Sequence, residues 1–336
     1  MEKLTIATVT YNSLDYTKFF LENLRRNADL PYHLIVVDNH STDGTAEFLT
    51  AQKDIEVVLN KRNLGFGQGN NQAFRRTKTP YFLGLNSDTF IGPEFLSKIL
   101  YFAENYLEYA EFGVHSNCVG AKNPATGKEI NFEILSLINQ GQTPFVAVKS
   151  YYGNLDIFGK QFAKENPGII TMEVPPDFIG GWCFLVRTNL VKEVGGLFDK
   201  RFKIGFWEDV DLSWRLALSG HKIGFIKEAY LHHFNHVSFR ESKDKLRFSD
   251  KAISRVNSLK FAEKWSDQIR EILGSKLAEG ITLGEIIKKY HVFKVFFGRK
   301  EDYSDLEREL KTLFLDNLSA NFKQLLLTKN SKSKSK

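Results

Sequence analysis

Three groups of residues in this sequence are of types that do chemistry. Asp88 follows the apolar run Tyr81–Leu85 in the tripeptide Asn86-Ser87-Asp88. A carboxylate at the end of a buried strand is costly unless it is paired, metal-bound or solvated in a cleft, although the same tripeptide also suits a turn that caps a helix. Glu208-Asp209-Val210-Asp211 stands at the start of an amphipathic stretch. The helix dipole favours acids there, but Phe206 and Trp207 precede the group and Trp214 follows it. A carboxylate with apolar walls is what a general base working near neutral pH requires. His232 and His233 end a third run. Strand alternation sends only one of them to a given face. One imidazole, one carboxylate and two phosphate oxygens would suit a divalent ion, and a hydrogen-bonded core histidine is the alternative.

A glycine-rich stretch at 63–70 (NLGFGQGN) implies close backbone approach to a ligand or a neighbouring helix. It lacks the Gly-Lys-Ser/Thr of a phosphate loop, and it does not follow the first strand as the dinucleotide fingerprint does.

The elements that must position these residues can be read from periodicity. Leu4–Thr10, His33–Asp38, residues 55–59 and Tyr81–Leu85 are β-rich or continuously apolar, with helical spacing between them at 15–26, to about 52 and to 77. Strands alternating with helices predict a mainly parallel sheet with right-handed crossovers. Ligands of such sheets bind outside the carboxyl ends of the strands. Thr10, Asn12, Asp38, Asn63 and Asp88 all fall there. Residues 120–175 read as loops with a small antiparallel extension. Residues 178–186, 222–226 and 229–233 read as strands, and 188–194 and 208–219 as helices. Beyond about 245 the pattern is helical, with Leu306, Leu310, Leu313, Phe314, Phe322, Leu325 and Leu326 on one face.

Twenty-nine phenylalanines predict an aromatic core. The two cysteines, Cys118 and Cys183, form neither a disulfide framework nor a zinc spacing and suit a reducing compartment. The N-terminus reads as a strand rather than a signal segment, and no apolar run reaches the roughly 18 residues of a membrane span. Net charge is +6, but residues 1–240 carry −1 and residues 241–336 carry +7, ending in a lysine–serine tail. That asymmetry suits a solvated tail or attraction to an anionic membrane face. With the excess outside the sheet and no recognition motif, nucleic-acid binding is not expected.

Taken in order, these pieces resemble glycosyltransferase family two, in its rhamnosyltransferase-like branch. The resemblance runs from about residue 4 to 238. It rests on Thr10-Tyr11-Asn12, Val37-Asp38-Asn39-His40-Ser41-Thr42-Asp43-Gly44-Thr45, Asn63-Leu64-Gly65 with Asn70, Leu85-Asn86-Ser87-Asp88, Gly180-Gly181, Gly196-Leu197-Phe198-Asp199, Glu208-Asp209-Val210-Asp211-Leu212 with Arg215, and His232-His233. It implies a GT-A fold: an α/β domain over 1–240, a helical extension over 241–328 and a basic disordered tail over 329–336. It implies an inverting, metal-assisted transferase that moves a sugar from a UDP- or dTDP-sugar to a glycan, lipid-linked or protein acceptor in surface polysaccharide or glycoconjugate synthesis. By the same resemblance Asp209 is the base, and Asp38, Thr10, Asn12, Asn63, Gly65, Asn70 and Asp88 hold the nucleotide sugar. Gly180, Gly181, Trp182, Trp207 and Glu208 form the acceptor side. Asp88 and His232 (or His233) hold Mn²⁺ or Mg²⁺. Asn86 replaces the first Asp of the family's Asp-x-Asp motif, and Phe234-Asn235-His236 replaces glycines common after the histidines. The implied setting is cytoplasmic. The C-terminal helices are expected to cover the domain, to pair two subunits or to make a peripheral contact at the inner membrane face.

Two other readings compete. A nucleotidyltransferase would need a basic glycine-rich loop soon after the first strand, where Tyr11-Asn12-Ser13-Leu14-Asp15 stands. A catalytically degenerate transferase domain, acting as a nucleotide-sugar-binding or scaffold protein, would be expected to lack Asp88 or Asp209, and both are present.

Overall fold

The computed structural model describes residues 2–116, 121–123, 125–234, 250–297, 303–315, 322, 324 and 325. Cys118, His236, Leu326 and the 329–336 tail lie outside the described residues.

Among the described residues nine strands form one sheet, β1 (Leu4–Thr10), β2 (His33–Asp38), β3 (Glu56–Leu59), β4 (Tyr81–Leu85), β5 (Thr89–Ile91), β6 (Tyr109–Ser116), β7 (Ile169–Thr171), β8 (Cys183–Arg187) and β9 (Lys222–His233). Their order is β3-β2-β1-β4-β8-β6-β9-β5, with β7 also on β9. The first four are mutually parallel. They are linked by α1 (Leu14–Asn27), α2 (Thr45–Thr50) and α3 (Phe66–Arg76). The parallel pattern stops at β8, which pairs antiparallel to β4 and to β6. The sheet is therefore mixed, and parallel where the alternating strand–helix pattern predicts it to be.

Both faces of the parallel half are buried, as its continuous apolar runs require. Ile6, Val36, Leu83 and Leu185 point into one cluster, together with α1 and α4 (Phe95–Asn105). Ala7, Ile35, Phe82 and Phe184 point into another, with α3, α8 (Thr188–Glu193) and α9 (Glu208–Leu218). Phenylalanines fill both clusters and the third described below.

Residues 120–175 differ from expectation. They contain three helices, α5 (Ile130–Asn139), α6 (Pro144–Lys149) and α7 (Tyr152–Glu165), which cover Phe19, Phe90 and Tyr230 in an aromatic lobe. The Gly, Pro and Asn scattered through this stretch, which suggested loops, punctuate the helices instead. Thr143 accepts a bond from the Val146 N–H, with Pro144 in the first turn, where a missing N–H costs nothing. Of the expected antiparallel extension, the described residues show β7, paired antiparallel to β9, and an isolated antiparallel bridge between Lys122 and Glu129.

The C-terminal part is helical at Asp250–Ala278, Leu283–Lys289, His291–Phe297 and Ser304–Leu315. These helices share one apolar cluster with Trp207, Val210 and Trp214 of the sheet domain. Leu306, Leu310, Phe322 and Leu325 face into it and are buried. The amphipathic stripe read from the sequence is thus turned inward at these positions. Among the described residues no helix is long and apolar enough to cross a membrane.

Candidate active site at the carboxyl edge of the sheet

A cavity of about 290 Å³ opens where β1 and β4 end and α3 and α9 begin. Thr10, Asn63, Gly65, Asp88, Gly181, Trp182, Glu208 and Asp209 line it, as does His233. Residues from six separate stretches of chain therefore meet at the edge where strand-end polarity placed the site.

The base side is built by α9. Asp209 Oδ2 accepts the Gly181 N–H at 2.9 Å, and Oδ1 accepts the Val210 N–H at 2.9 Å. Glu208 is buried beside it, with Oε2 lacking a hydrogen-bond partner. Burial raises the proton affinity of both carboxyls; the Asp209 charge raises that of Glu208 further, while the two N–H donors and nearby His291 hold that of Asp209 down. Environments that pull neighbouring carboxyls apart separate the proton carrier from the base. Burial thus holds both carboxyls back from ionising, and Asp209, with the Gly181 and Val210 N–H groups aimed at its two oxygens, is the better placed of the pair to carry the charge.

The loop before α9 is strained. Ile204, Phe206 and Trp207 have φ of 71°, 73° and 76°, a left-handed conformation that is an outlier for a β-branched residue. It is held from both sides. The Ile204 carbonyl accepts the Phe66 N–H at 2.6 Å. Gly65 packs so closely that a Cβ there would lie 2.4 Å from Ile204 Cα. From the long C-terminal helix, Asn257 Nδ2 lies 2.8, 3.0 and 3.3 Å from the carbonyl oxygens of Gly205, Lys203 and Phe206. Phe206 lines the cavity as the apolar wall expected of it, whereas Ile204 and Gly205 also line it without any sign in their residue types, because nothing there marks a positive φ. Asn257 and His291 were likewise invisible, since both come from a stretch without a recognisable motif.

On the opposite wall, β5 pairs antiparallel with β9 so that His233 stands across from Thr89 and His232 across from Phe90. Alternation then separates the two imidazoles. His233 Nε2 lies 3.2 Å from Asp88 Oδ1, and its ring stacks on Trp182 at 5.8 Å. His232 points into the aromatic lobe, bonded to the Tyr230 hydroxyl and to Asn131 Oδ1. The geometry therefore places His233, not His232, beside Asp88. Asp88 Oδ1 and His233 Nε2 face one space and suit two ligands of a divalent ion, the remaining ligands being phosphate oxygens and water. No group of three protein ligands occurs among the described residues.

The other expected residues shape the walls without lining the cavity. Asp38 accepts bonds from Ser41 N and Oγ and from Thr10 Oγ1. Asn12 Oδ1 accepts the Thr42 N–H at 2.7 Å. Together they fix the turns after β1 and β2. Asn70 bonds the Phe66 carbonyl inside α3. Gly180 leaves room for the Trp182 indole, whose Nε1 would lie 2.5 Å from a Cβ there. Trp207 turns away to pack on Phe261 and Phe296. Asn39, from the same strand-end turn as Asp38, does reach the cavity and bonds the Gly65 carbonyl at 3.1 Å.

A mixed sheet with a parallel half over its first four strands, and carboxylates gathered at its carboxyl edge, has the GT-A fold. The model of a family described as "Glycosyl transferase family 2" matches residues 5–154 of the chain. A curated relative, N-acetylglucosaminyl-diphospho-decaprenol L-rhamnosyltransferase of Mycobacterium tuberculosis, is 24% identical over 82% of this chain and 90% of its own length. Among solved structures, S. aureus TarS 1-349 in complex with UDP-GlcNAc aligns with a TM-score of 0.57 at 14% identity, over 98% of this chain and 92% of that one. Mannosyltransferase PcManGT from Pyrobaculum calidifontis, in complex with GDP-Man and Mn²⁺, aligns with a TM-score of 0.51 at 13% identity, over 99% and 88%.

Proposed function

We propose that the protein is an inverting glycosyltransferase that moves a sugar from a nucleoside diphosphate to a hydroxyl of a glycan or lipid-linked acceptor in cell-surface polysaccharide synthesis. The observation that carries this reading is the meeting, in one cavity, of a carboxylate built as a base, Asp209, with a carboxylate–imidazole pair, Asp88 and His233, that suits a metal-bound diphosphate. The curated relative, an L-rhamnosyltransferase by name, supports a sugar-transfer reaction, and the dTDP- or UDP-linked donor is what the family resemblance implies. The presence of both Asp88 and Asp209 in the cavity speaks against a degenerate, merely binding domain.

In this reading the nucleotide lies across the ends of β1, β2 and β4, against Thr10, Asn39 and the turns that Asp38 and Asn12 hold. Asn63 and Gly65 approach the ribose and diphosphate with backbone rather than side chain, and Asn70 stabilises the start of α3 behind them. Asp88 and His233 would hold Mn²⁺ or Mg²⁺, which supplies charge stabilisation to the departing diphosphate when bound. Asp209 takes the proton of the acceptor hydroxyl as that oxygen attacks the anomeric carbon. The bond to the diphosphate breaks on the opposite side, and one displacement inverts the configuration. Gly181 and Trp182 wall the acceptor approach. Neutral Glu208 adds no second negative charge beside the base, which keeps repulsion of the phosphates low.

The test is incubation of the full chain with UDP-GlcNAc, UDP-glucose, dTDP-rhamnose and GDP-mannose, each with Mn²⁺ and with EDTA, reading nucleoside diphosphate release. Slow metal-stimulated hydrolysis of one donor is expected. No release and no nucleotide binding in any mixture would reject the proposal.

A further inference from the structure

One buried acid has no part in the reaction as proposed. Glu111 on β6 is 1% exposed, and its Oε2 accepts the Ser213 hydroxyl at 2.6 Å. Burial pushes its carboxyl up to about 8. A carboxyl is an expensive acceptor for a buried hydroxyl, since its charged form cannot be hydrated there. What it holds explains the choice of position. Ser213 Oγ donates to Glu111 and at the same time accepts the Ile179 N–H at 3.0 Å. Two residues further on, the Gly181 N–H is the donor to Asp209 Oδ2.

Ser213 and Asp209 are four apart on α9 and so lie one above the other on a single face. Both grip the same short segment, 179–181, which leads into β8. With Glu111 fixed in the sheet and bonded to Ser213, the sheet, the helix and the segment are locked at two points. Residues 178–182 belong to no strand or helix; besides these two bonds the segment is held by the buried Ile179 side chain and by the Trp182 carbonyl, which accepts the Asn86 N–H at 3.0 Å. Gly181 is also near its closest allowed approach, with a Cβ there 3.1 Å from the Phe66 ring and 3.5 Å from Asp209 Oδ2.

We propose that Glu111 is a positioning residue for the base. Through the Ser213 hydroxyl and the Ile179–Gly181 segment it sets the Gly181 N–H that orients the Asp209 carboxylate. This inference rests on the assignment of Asp209 as base in the reading above. A base displaced by a fraction of an ångström keeps its donor affinity and loses rate, because the misplacement is felt only in the transition state.

The experiment compares Glu111→Leu, Ser213→Ala, Glu111→Gln and Asp209→Asn in the full chain. Two readouts are taken: hydrogen exchange of the Ile179 and Gly181 amides, and steady-state hydrolysis of the donor that turns over best among the four nucleotide sugars named above. Glu111→Leu and Ser213→Ala are expected to speed exchange at both amides and to lower kcat about 10- to 100-fold, with KM for the donor within about twofold of wild type. Glu111→Gln, which keeps an oxygen for the Ser213 hydroxyl, is expected to restore both readouts. Ser213→Ala, the smaller change, decides the matter if Glu111→Leu does not fold. Wild-type kcat in Ser213→Ala or Glu111→Leu, or a loss that Glu111→Gln fails to rescue, overturns the positioning role while leaving the base intact if Asp209→Asn is inactive. Wild-type turnover in Asp209→Asn overturns the base assignment and this inference with it.

Discussion

At the scale of single residues, the site depends on which of two neighbours carries a proton or a ligand. Asp209 accepts a backbone N–H on each of its two oxygens, whereas among the described residues Glu208 Oε2 has no hydrogen-bond partner. Asp209→Asn keeps the shape but cannot accept a proton, and its single amide oxygen can keep only one of the Gly181 and Val210 N–H bonds. Transfer should fall on the order of 10²–10⁴-fold, the usual worth of a general base, while nucleoside diphosphate affinity measured by calorimetry stays unchanged. Near wild-type turnover would remove Asp209 from the mechanism. The histidine pair divides in the same way. His233→Ala should weaken Mn²⁺-dependent UDP or dTDP binding and leave binding in EDTA alone. His232→Ala should instead lower the melting temperature, since it breaks two buried hydrogen bonds worth about 1 kcal/mol each, with metal dependence preserved. The reverse pattern would mean that the β5–β9 register misidentifies the ligand.

Between elements, the contacts are close and in places strained. Gly65 has φ 83° and abuts the Ile204 backbone. Gly65→Ala has no relaxed solution: the new methyl meets main chain, not a side-chain end that can swing away. The variant should lose at least about 1 kcal/mol of stability for the positive φ alone. It should also lose nucleotide binding, as the 204–207 loop is pushed off α3; unchanged urea midpoint and nucleotide affinity would contradict this. The β6–α9 contact has a pH signature. Glu111 titrates near 8 in the folded protein and near its ordinary 4.5 when unfolded. Between these values the native state binds the extra proton, so this group's contribution to stability is complete below 4.5 and is lost as pH rises towards 8. The slope for one such group approaches about 1.4 kcal/mol per pH unit. Glu111→Gln should therefore flatten the decline of stability between pH 5 and 8, as read from urea midpoints; Glu208 and Asp209 leave a residual slope of the same sign. An unaltered profile would show that Glu111 ionises freely.

For the molecule as a whole, the C-terminal helices are part of the site's frame. Asp211, fully buried, accepts bonds from Arg215 within α9 and from Lys264 and Trp265 of the helix Asp250–Ala278. Trp207 and Trp214 pack on Phe261 of the same helix at 5.0 and 4.9 Å. A chain ending at residue 240 would expose both tryptophans and leave Asp211 with one cationic partner where it had two. It would also free the strained loop that Asn257 holds. Such a truncation should be aggregation-prone, or should bind nucleotide at least tenfold more weakly than the full chain; a well-folded, fully binding fragment would show that the helices are an independent addition. The inward turn of Leu306, Leu310, Phe322 and Leu325 also leaves the net positive charge, rather than an apolar face, as the remaining support for a peripheral membrane contact.

The sequence by itself determined the alternating strand–helix half and the edge at which a site must lie. Those follow from local periodicity, since a run such as His33–Asp38 is apolar on both faces only if both are covered. It also determined the residue types of the site, because Asp88, Asp209 and the histidine pair sit at strand or helix ends where burial without purpose is costly. The resemblance to family two, carried by the same residues, is matched by the family model over residues 5–154. The tertiary structure decided what depends on contacts between distant stretches. Alternation allowed either histidine, and only pairing with Thr89 and Phe90 on β5 fixed which one meets Asp88. The helical character of 130–165 was hidden because its turn-forming residues also cap helices. Asn257 and Glu111 had no local signal at all: an asparagine in a long helix and a glutamate in a strand look like solvated surface until the fold shows what lies against them. Hydrophobic period is a property of neighbours in sequence, whereas the orientation of a base is set by hydrogen bonds between groups 28 to 102 residues apart.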